Sequence, residues 1–174
     1  MGTGTPVNTG EKITAAKMNL KLETIDPANI FLNVVRGIVP SVLGWDTDPT
    51  NLANITDGNF TTKTGIGSKI QSAGWEGAYI YWDLATRKNC LIGIDCEMAT
   101  SAGSVYVFAA DSPDGTTWTW GADMLTVISI GSLSRKPAYS HWVSQQFVGF
   151  VFTAGVTATI QVRIAEAWVI ELPL

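Results

Sequence analysis

Asn54-Ile55-Thr56-Asp57-Gly58-Asn59-Phe60-Thr61-Thr62, then Tyr79-Ile80-Tyr81-Trp82-Asp83-Leu84, then Ser112-Pro113-Asp114-Gly115-Thr116-Thr117-Trp118, is the series that decides the fold. Asp-Gly and Asp-Gly-Asn are turn chemistry, because glycine accepts positive φ and an Asp or Asn side chain bonds the backbone just beyond it. Between the turns the pattern has a period of two. Ile80, Trp82 and Leu84 share one face with Tyr79, Tyr81 and Asp83 on the other; Val148, Phe150 and Phe152 share a face with Phe147 and Val151 opposite. The second strand has no polar face, which predicts burial on both sides, by an opposing sheet and by a neighbouring subunit or an arm of the chain. Short strands, Gly and Asp turns, no βαβ alternation and no long internal repeat predict an all-β, antiparallel β-sandwich.

The order and wording of these pieces resemble the discoidin-like family, also called coagulation-factor type C or galactose-binding-like domains. The resemblance rests on Asp57-Gly58-Asn59, Trp82-Asp83-Leu84, Ser112–Trp118, Gln146–Phe152 and Ile164-Ala165-Glu166, which stand in the family's order, and it covers roughly residues 41–174. It implies a jelly roll of the galactose-binding-domain type. None of the pieces names a ligand.

Composition sets the bounds around this reading. At 174 residues and 46% hydrophobic content the chain suits one well-buried domain with a modest extension. Only 15% of residues are charged and the net charge is −4, so no basic footprint for nucleic acid or an anionic membrane is present. Seven Trp and a mean hydropathy of +0.19 predict more apolar surface than a small monomer needs, and hence a homo-oligomer. The longest apolar stretch, around residues 147–156, falls short of the roughly 20 residues that span a bilayer. Met1–Asn8 has neither a basic leader nor an apolar core, which predicts a protein made in the cytoplasm without a secretory signal. Cys90 and Cys96 fall within one predicted strand, about 20 Å apart, too far to pair with each other while the strand is extended.

Residues 1–36 read as an attachment arm and 37–174 as the domain. Thr14 can cap a helix, with Ile13 and Met18 as its hydrophobic staple, and Ala15, Met18, Leu22 and Ile25 form a helical stripe. A helix of about 12 residues is marginal alone, so this stripe is expected to dock on the domain or on copies of itself. Gly10-Glu-Lys-Ile-Thr-Ala-Ala-Lys-Met-Asn19 also resembles the N-terminal attachment segments of bacteriophage tail-fibre and head-appendage proteins.

Two groups of residues could carry a ligand. On a regular strand Ile160, Val162, Ile164, Glu166, Trp168, Ile170 and Leu172 fall on one side, so Glu166 interrupts an apolar face and requires a partner. The family resemblance implies that this Glu meets the Asp-Gly loop, where many glycan-binding members hold a structural calcium. The matching positions are Asp57, Asn59, Thr62 and Glu166, completed by loop carbonyls such as that of Asn54, a set of oxygens suited to a hard cation. Asn59 stands where an Asp is often found and lowers the charge of the site. The other expectation is that Glu166 accepts backbone N–H bonds from the Asp57 loop without any ion. The second group is aromatic: Trp75, Trp120 and Trp142 lie in or beside turn-rich segments, where a flat ring can stack on a sugar or pack against the core or a subunit. Trp118 matches the family's hairpin core position.

Catalysis has no carrier in the sequence. His141 is the only histidine; Asp46 and Asp48 read as a turn before Pro49; no nucleophile elbow, phosphate loop or zinc motif is present. The leading expectation is a noncatalytic bacteriophage virion protein, a capsid decoration, head fibre or tail appendage. It would be a homotrimer attached to other virion proteins through its arm and touching host-surface glycans. The alternative is a carbohydrate-binding module recognising a polysaccharide, with or without structural calcium.

Overall fold

A computed structural model of the chain describes residues 33–127, 131–135 and 139–171. The predicted arm helix with its Ile13, Ala15, Met18, Leu22 and Ile25 stripe, and Leu172, lie outside these residues.

Among the described residues eight strands join in one curled antiparallel sheet: β1 (Ser41–Leu43), β2 (Gly67–Gln71), β3 (Ala78–Thr100), β4 (Val105–Ser112), β5 (Thr119–Val127), β6 (Ser134–Arg135), β7 (Tyr139–Ala154) and β8 (Ala158–Glu171). The order is β2-β8-β3-β7-β4-β5, with β1 and β6 also pairing to β3. The sheet becomes a sandwich because β3 and β7 serve both layers. They pair as Ala78–Asp83 with Phe152–Phe147, lose register between Asp83 and Lys88, and pair again as Lys88–Ile94 with Gln145–Tyr139. Ile80 and Trp82 before the break share one core cluster with Ile92, Ile94, Cys96 and Met98 after it, so the sheet folds over on itself. The upper layer is β1, the first half of β3, the second half of β7, β4 and β5. The lower layer is β2, β8, the second half of β3, the first half of β7 and β6. This is the predicted antiparallel jelly-roll sandwich.

The inward faces of the predicted strands hold: Ile80, Trp82, Val148, Phe150 and Phe152 are buried. Val151, on the opposite face, is also buried, with Tyr79 and Phe108 as its register partners. The second cover that the sequence assigns to a subunit or an arm is supplied there by the layer's own aromatic neighbours. Cys90 and Cys96 are free thiols buried in β3, and burial pushes the Cys90 thiol up to about 11.

The single-face count along β8 fails at one residue. Asp95 pairs with Glu166 but Cys96 pairs with Ile164, so Ala165 is an extra residue on β8. Ile160, Val162 and Ile164 point into the core before this bulge, and Ala167 and Val169 point there after it. Glu166, Trp168 and Ile170 therefore stand on the outer face. A bulge adds one residue to a period of two and reverses every side chain downstream. Gly93, in register with Trp168, leaves room for the indole, whose ring atoms lie 2.2 Å from where a Cβ would be.

The outer edge of β8 is covered piece by piece, which removes an open template for strand pairing. β2 pairs with Ala158–Val162. Thr64 then exchanges two bonds with Ile164, its N–H to the carbonyl at 2.9 Å and its Oγ1 from the N–H at 3.0 Å. Asn33 closes the far end: Oδ1 accepts the Val169 N–H at 2.9 Å, Nδ2 donates to the Ala167 carbonyl at 3.3 Å, and the Val34 N–H reaches the Val169 carbonyl at 2.9 Å. Val35 is 1% exposed, so packing on the sandwich begins before residue 37. The Trp82 indole donates to the Ile38 carbonyl at 3.0 Å and ties the following residues down as well.

Deleting Ala165 removes the extra residue and leaves Ile164 and Glu166 as consecutive partners of Cys96 and Asp95, so Ala167 and Val169 stay inward and Trp168 and Ile170 outward. The deletion is expected to keep cooperative thermal unfolding, whereas one alanine inserted after Ala167 turns Trp168 and Ile170 inward and Val169 outward and is expected to abolish it. An insertion variant that melts like the parent would show that the face is set elsewhere.

Candidate functional site

The outer face of the upper layer carries a continuous row of rings. Tyr79 and Tyr81 come from β3, Tyr106 and Phe108 from β4, Trp120 from β5, Phe147 from β7, Trp118 from the residue before β5 and Trp75 from the β2–β3 turn. Trp75 stacks on Tyr106 with centroids 5.3 Å apart, Tyr106 on Phe108 at 6.0 Å, and Phe108 on Trp120 at 6.0 Å. Trp118 lies 5.2 Å from Tyr79 and 5.0 Å from Tyr81, and Tyr81 lies 6.4 Å from Phe147. These separations are those of favourable offset and edge contacts.

Small residues make the row possible. Trp120 is in register with Ala110, Ala110 with Gly149, and Gly149 with Tyr81. The indole reaches from β5 over these positions, and its Nε1 donates to the Tyr79 hydroxyl at 3.0 Å. Gly149 admits no side chain, since an added Cβ would lie 2.1 Å from the Ile80 carbonyl oxygen. Trp118 Nε1 is buried with no partner among the described residues, an unmet donor costing about 1–3 kcal/mol.

Trp75 is the exposed end of the row, 51% accessible, and its backbone has φ 70, a sparsely populated region for a bulky residue. The turn around it holds that conformation. Buried Gln71 accepts the Glu76 N–H at 3.0 Å through Oε1, donates to the Glu76 carbonyl through Nε2, and takes a bond from Thr153 Oγ1 at 3.4 Å. The Glu76 carboxylate accepts Ser72 Oγ at 2.6 Å and the Ser72 and Ala73 N–H groups, and these bonds, led by the Ser72 hydroxyl, hold its pKa below the usual range. The Trp75 N–H donates to the Ala154 carbonyl at 2.7 Å. Strain of about 1–3 kcal/mol persists only where surroundings over-determine it, as they do here.

The β4–β5 hairpin that aims Trp118 and Trp120 is built as its sequence predicts. Ser112 Oγ accepts the Gly115 N–H at 2.9 Å, Gly115 has φ 74, and Asp114 Oδ1 accepts the Thr116 and Thr117 N–H groups at 2.8 and 2.7 Å. Those bonds, the Thr117 N–H first, hold the Asp114 carboxyl far below its ordinary value.

The Asp57 loop lies on the other layer, over the outer face of β8. Gly58 has φ 79 and its N–H donates to Glu166 Oε2 at 3.1 Å. Asp57 Oδ1 accepts the Asn59 N–H at 2.7 Å and Oδ2 accepts Thr62 Oγ1 at 2.6 Å. Asn59 Oδ1 is engaged by Thr61, from its N–H at 3.1 Å and its hydroxyl at 2.6 Å. Phe60 meets Trp168 at 6.5 Å and helps roof the pair. Glu166 is 1% exposed and its Oε1 has no hydrogen-bond partner among the described residues. Burial, then the nearby Asp57 charge, pushes its carboxyl up to about 8, against the pull of the Gly58 N–H and Arg36.

Asp57, Asn59, Thr62 and Glu166 are thus brought to one place, while Trp75 and Trp120 meet in the aromatic row. Trp142 does not join them: its neighbour Val143 belongs to the core of the lower layer, and Trp142 stands outward there, 53% exposed. Tyr79, Tyr81, Tyr106, Phe108, Trp118 and Phe147 complete the row and are not among the predicted site residues. Their signal in the sequence is the spacing of two in 79/81, 106/108 and 118/120. Among the described residues no three His, Cys, Asp or Glu side chains gather as a metal group. Gly10–Asn19, which resembles phage attachment segments, lies outside the described residues.

No protein-family model and no curated protein sequence matches the chain. Solved structures similar to it include CpGH89CBM32-6 from Clostridium perfringens, at 18% identity and TM-score 0.47, covering 80% of this chain and 99% of that one. Another is chitosan-binding module 1 of a chitosanase/glucanase from Paenibacillus sp. IK-5, at 17% identity and TM-score 0.46, covering 79% and 97%. A family 29 carbohydrate binding module is similar at 11% identity and TM-score 0.45, covering 80% and 85%.

The Glu166 carboxyl makes stability depend on pH. Its folded value is raised, so the folded state holds a proton that the unfolded state gives up above about 4.5. This contribution is fully present below the unfolded value and is lost as pH rises through about 8. Denaturant unfolding in EDTA is expected to show stability lower by about 2–4 kcal/mol at pH 8.5 than at pH 5 from this group, a slope that Glu166→Gln removes. An unchanged slope in the variant would exclude Glu166 as its source.

Proposed function

We propose that the chain is a noncatalytic carbohydrate-binding module that holds a polysaccharide against its aromatic row. The observation that carries this reading is the row itself, eight rings among the described residues, on an outer sheet face and ending in exposed Trp75. A pyranose presents flat patches of C–H bonds between its hydroxyls, and a fixed aromatic face matches such a patch while the hydroxyls stay hydrated. A half-buried apolar row of this kind, open at Trp75, marks an interaction surface. The anchoring of Trp75 by Gln71 and Glu76, and of Trp120 by Tyr79, means that binding orders few side chains, which favours affinity. The virion appendage that the sequence puts first has no support in the described structure or in the similarities found, nor does its homotrimer, and the glycan-binding reading takes its place.

The Asp57 loop serves the fold in this reading. Its residues fit a hard cation: Glu166 Oε1 is a buried oxygen without a hydrogen-bond partner among the described residues, and Asp57 brings a second carboxylate. A calcium ion held by Glu166 and Asp57 would add positive charge beside the two carboxylates. Asn59 and Thr62, whose side chains are engaged within the loop, would hold its shape.

Trp75→Ala and Trp120→Ala are each expected to weaken binding of a retained polysaccharide by about 10–100-fold, the loss of a buried aromatic contact, and Trp142→Ala to leave it unchanged. Affinity electrophoresis across a polysaccharide panel checks this. Full binding by both row variants sinks the reading, as does a chain that binds no glycan and self-associates through the row. For the loop, calcium is expected to raise Tm over EDTA by about 5 °C or more at saturating concentration. Identical melts would leave the Gly58–Glu166 hydrogen bond as the tie.

A further inference from the structure

We infer that the aromatic row takes an uncharged or amino-bearing polysaccharide and turns away uronate-rich and sulfated chains. This rests on the glycan-binding reading and adds the charge of the ligand. No Lys or Arg occurs in any strand segment that forms the upper layer: Ser41–Leu43, Ala78–Asp83, Val105–Ser112, Thr119–Val127 and residues 147–154. The same segments contain Asp83, Asp111 and Asp123.

Asp83 stands at one end of the row. It follows Tyr79 and Tyr81 on the same face of β3 and has Phe147 as its cross-strand partner. Its Oδ1 accepts the Ala85 N–H at 2.7 Å and Gln146 Nε2 at 2.9 Å, which fixes the carboxylate; Oδ2 carries no hydrogen bond among the described residues, and the residue is exposed. The other end has Glu76 beside Trp75. Lys69 is the cation there, and it is held between two acids, 3.8 Å from Glu76 and 3.6 Å from Asp46. Near Asp83, Arg87 directs its guanidinium to Ser144, at 3.1 Å to the carbonyl and 3.4 Å to Oγ. Among the described residues an anionic chain laid along the rings would therefore meet fixed carboxylate at each end, with Lys69 already paired to two acids and Arg87 held against Ser144 in the lower-layer half of β7, and like charges so placed act against a wrong partner.

The test uses matched pairs of one backbone with and without charge: hydroxyethylcellulose with carboxymethylcellulose, and methyl-esterified with de-esterified homogalacturonan, plus chitosan as the amino-bearing polymer. Affinity electrophoresis of the full chain is expected to show the anionic member of any bound pair at least about tenfold weaker at low salt, with the gap closing as salt rises. Asp83→Asn narrows the gap, and Asp83→Lys reverses it, without weakening the neutral member. Equal or tighter binding of the anionic member, with Trp75 still required, overturns the charge inference and leaves the glycan reading standing. Binding of none of the five polymers overturns both.

Discussion

β3 runs for 23 residues, Ala78–Thr100, and through its break at Asp83–Lys88 it contributes to both layers. With β7 doing the same, the two faces of the sandwich are not separate sheets pressed together but one sheet turned on itself. Two consequences follow from that continuity. The core cluster draws Ile80 and Trp82 from one half of a strand and Ile92 to Met98 from the other, so closure of the sandwich and packing of its interior are the same event. The two outer faces are then free to differ, and they do: one carries the rings, the other carries Glu166, Trp168 and the loop that roofs them.

Most of the fold was legible because period-two patterning and Asp-Gly turns are local signals. The hairpin Ser112–Trp118 needs no information beyond its seven residues, and neither does the inward set Val148, Phe150 and Phe152. The Ala165 bulge is different in kind. Nothing in Ile164-Ala165-Glu166-Ala167 marks which residue is extra, because the mismatch exists only against Asp95 and Cys96 across the ladder. Counting every second residue past that point put Glu166 inside, when it stands outside beneath a loop. Its contact with the Asp57 turn nevertheless follows from either parity, since a buried carboxylate seeks N–H donors and the turn offers one.

The aromatic row shows the opposite balance. Each pair at spacing two was visible, but a strand with Tyr79 and Tyr81 on one face reads equally as core or as surface. What separates the readings is the identity of the opposing face, Ile80 and Trp82, together with the small residues Ala110 and Gly149 that let Trp120 lie across three strands. By type and turn-rich surroundings Trp142 groups with Trp75 and Trp120; its pairing with Leu91 puts it on the other layer.

Trp75 has one more consequence. Its turn joins β2, which is laddered to β8 in the lower layer, to β3, which begins in the upper one, and its N–H and the Gln71 amide fasten that turn to Ala154 and Thr153 at the end of β7. Tension applied to the ring is thus shared among three strands of both layers and does not peel a single loop away. The outermost ring of the row is thereby fastened to both layers at once.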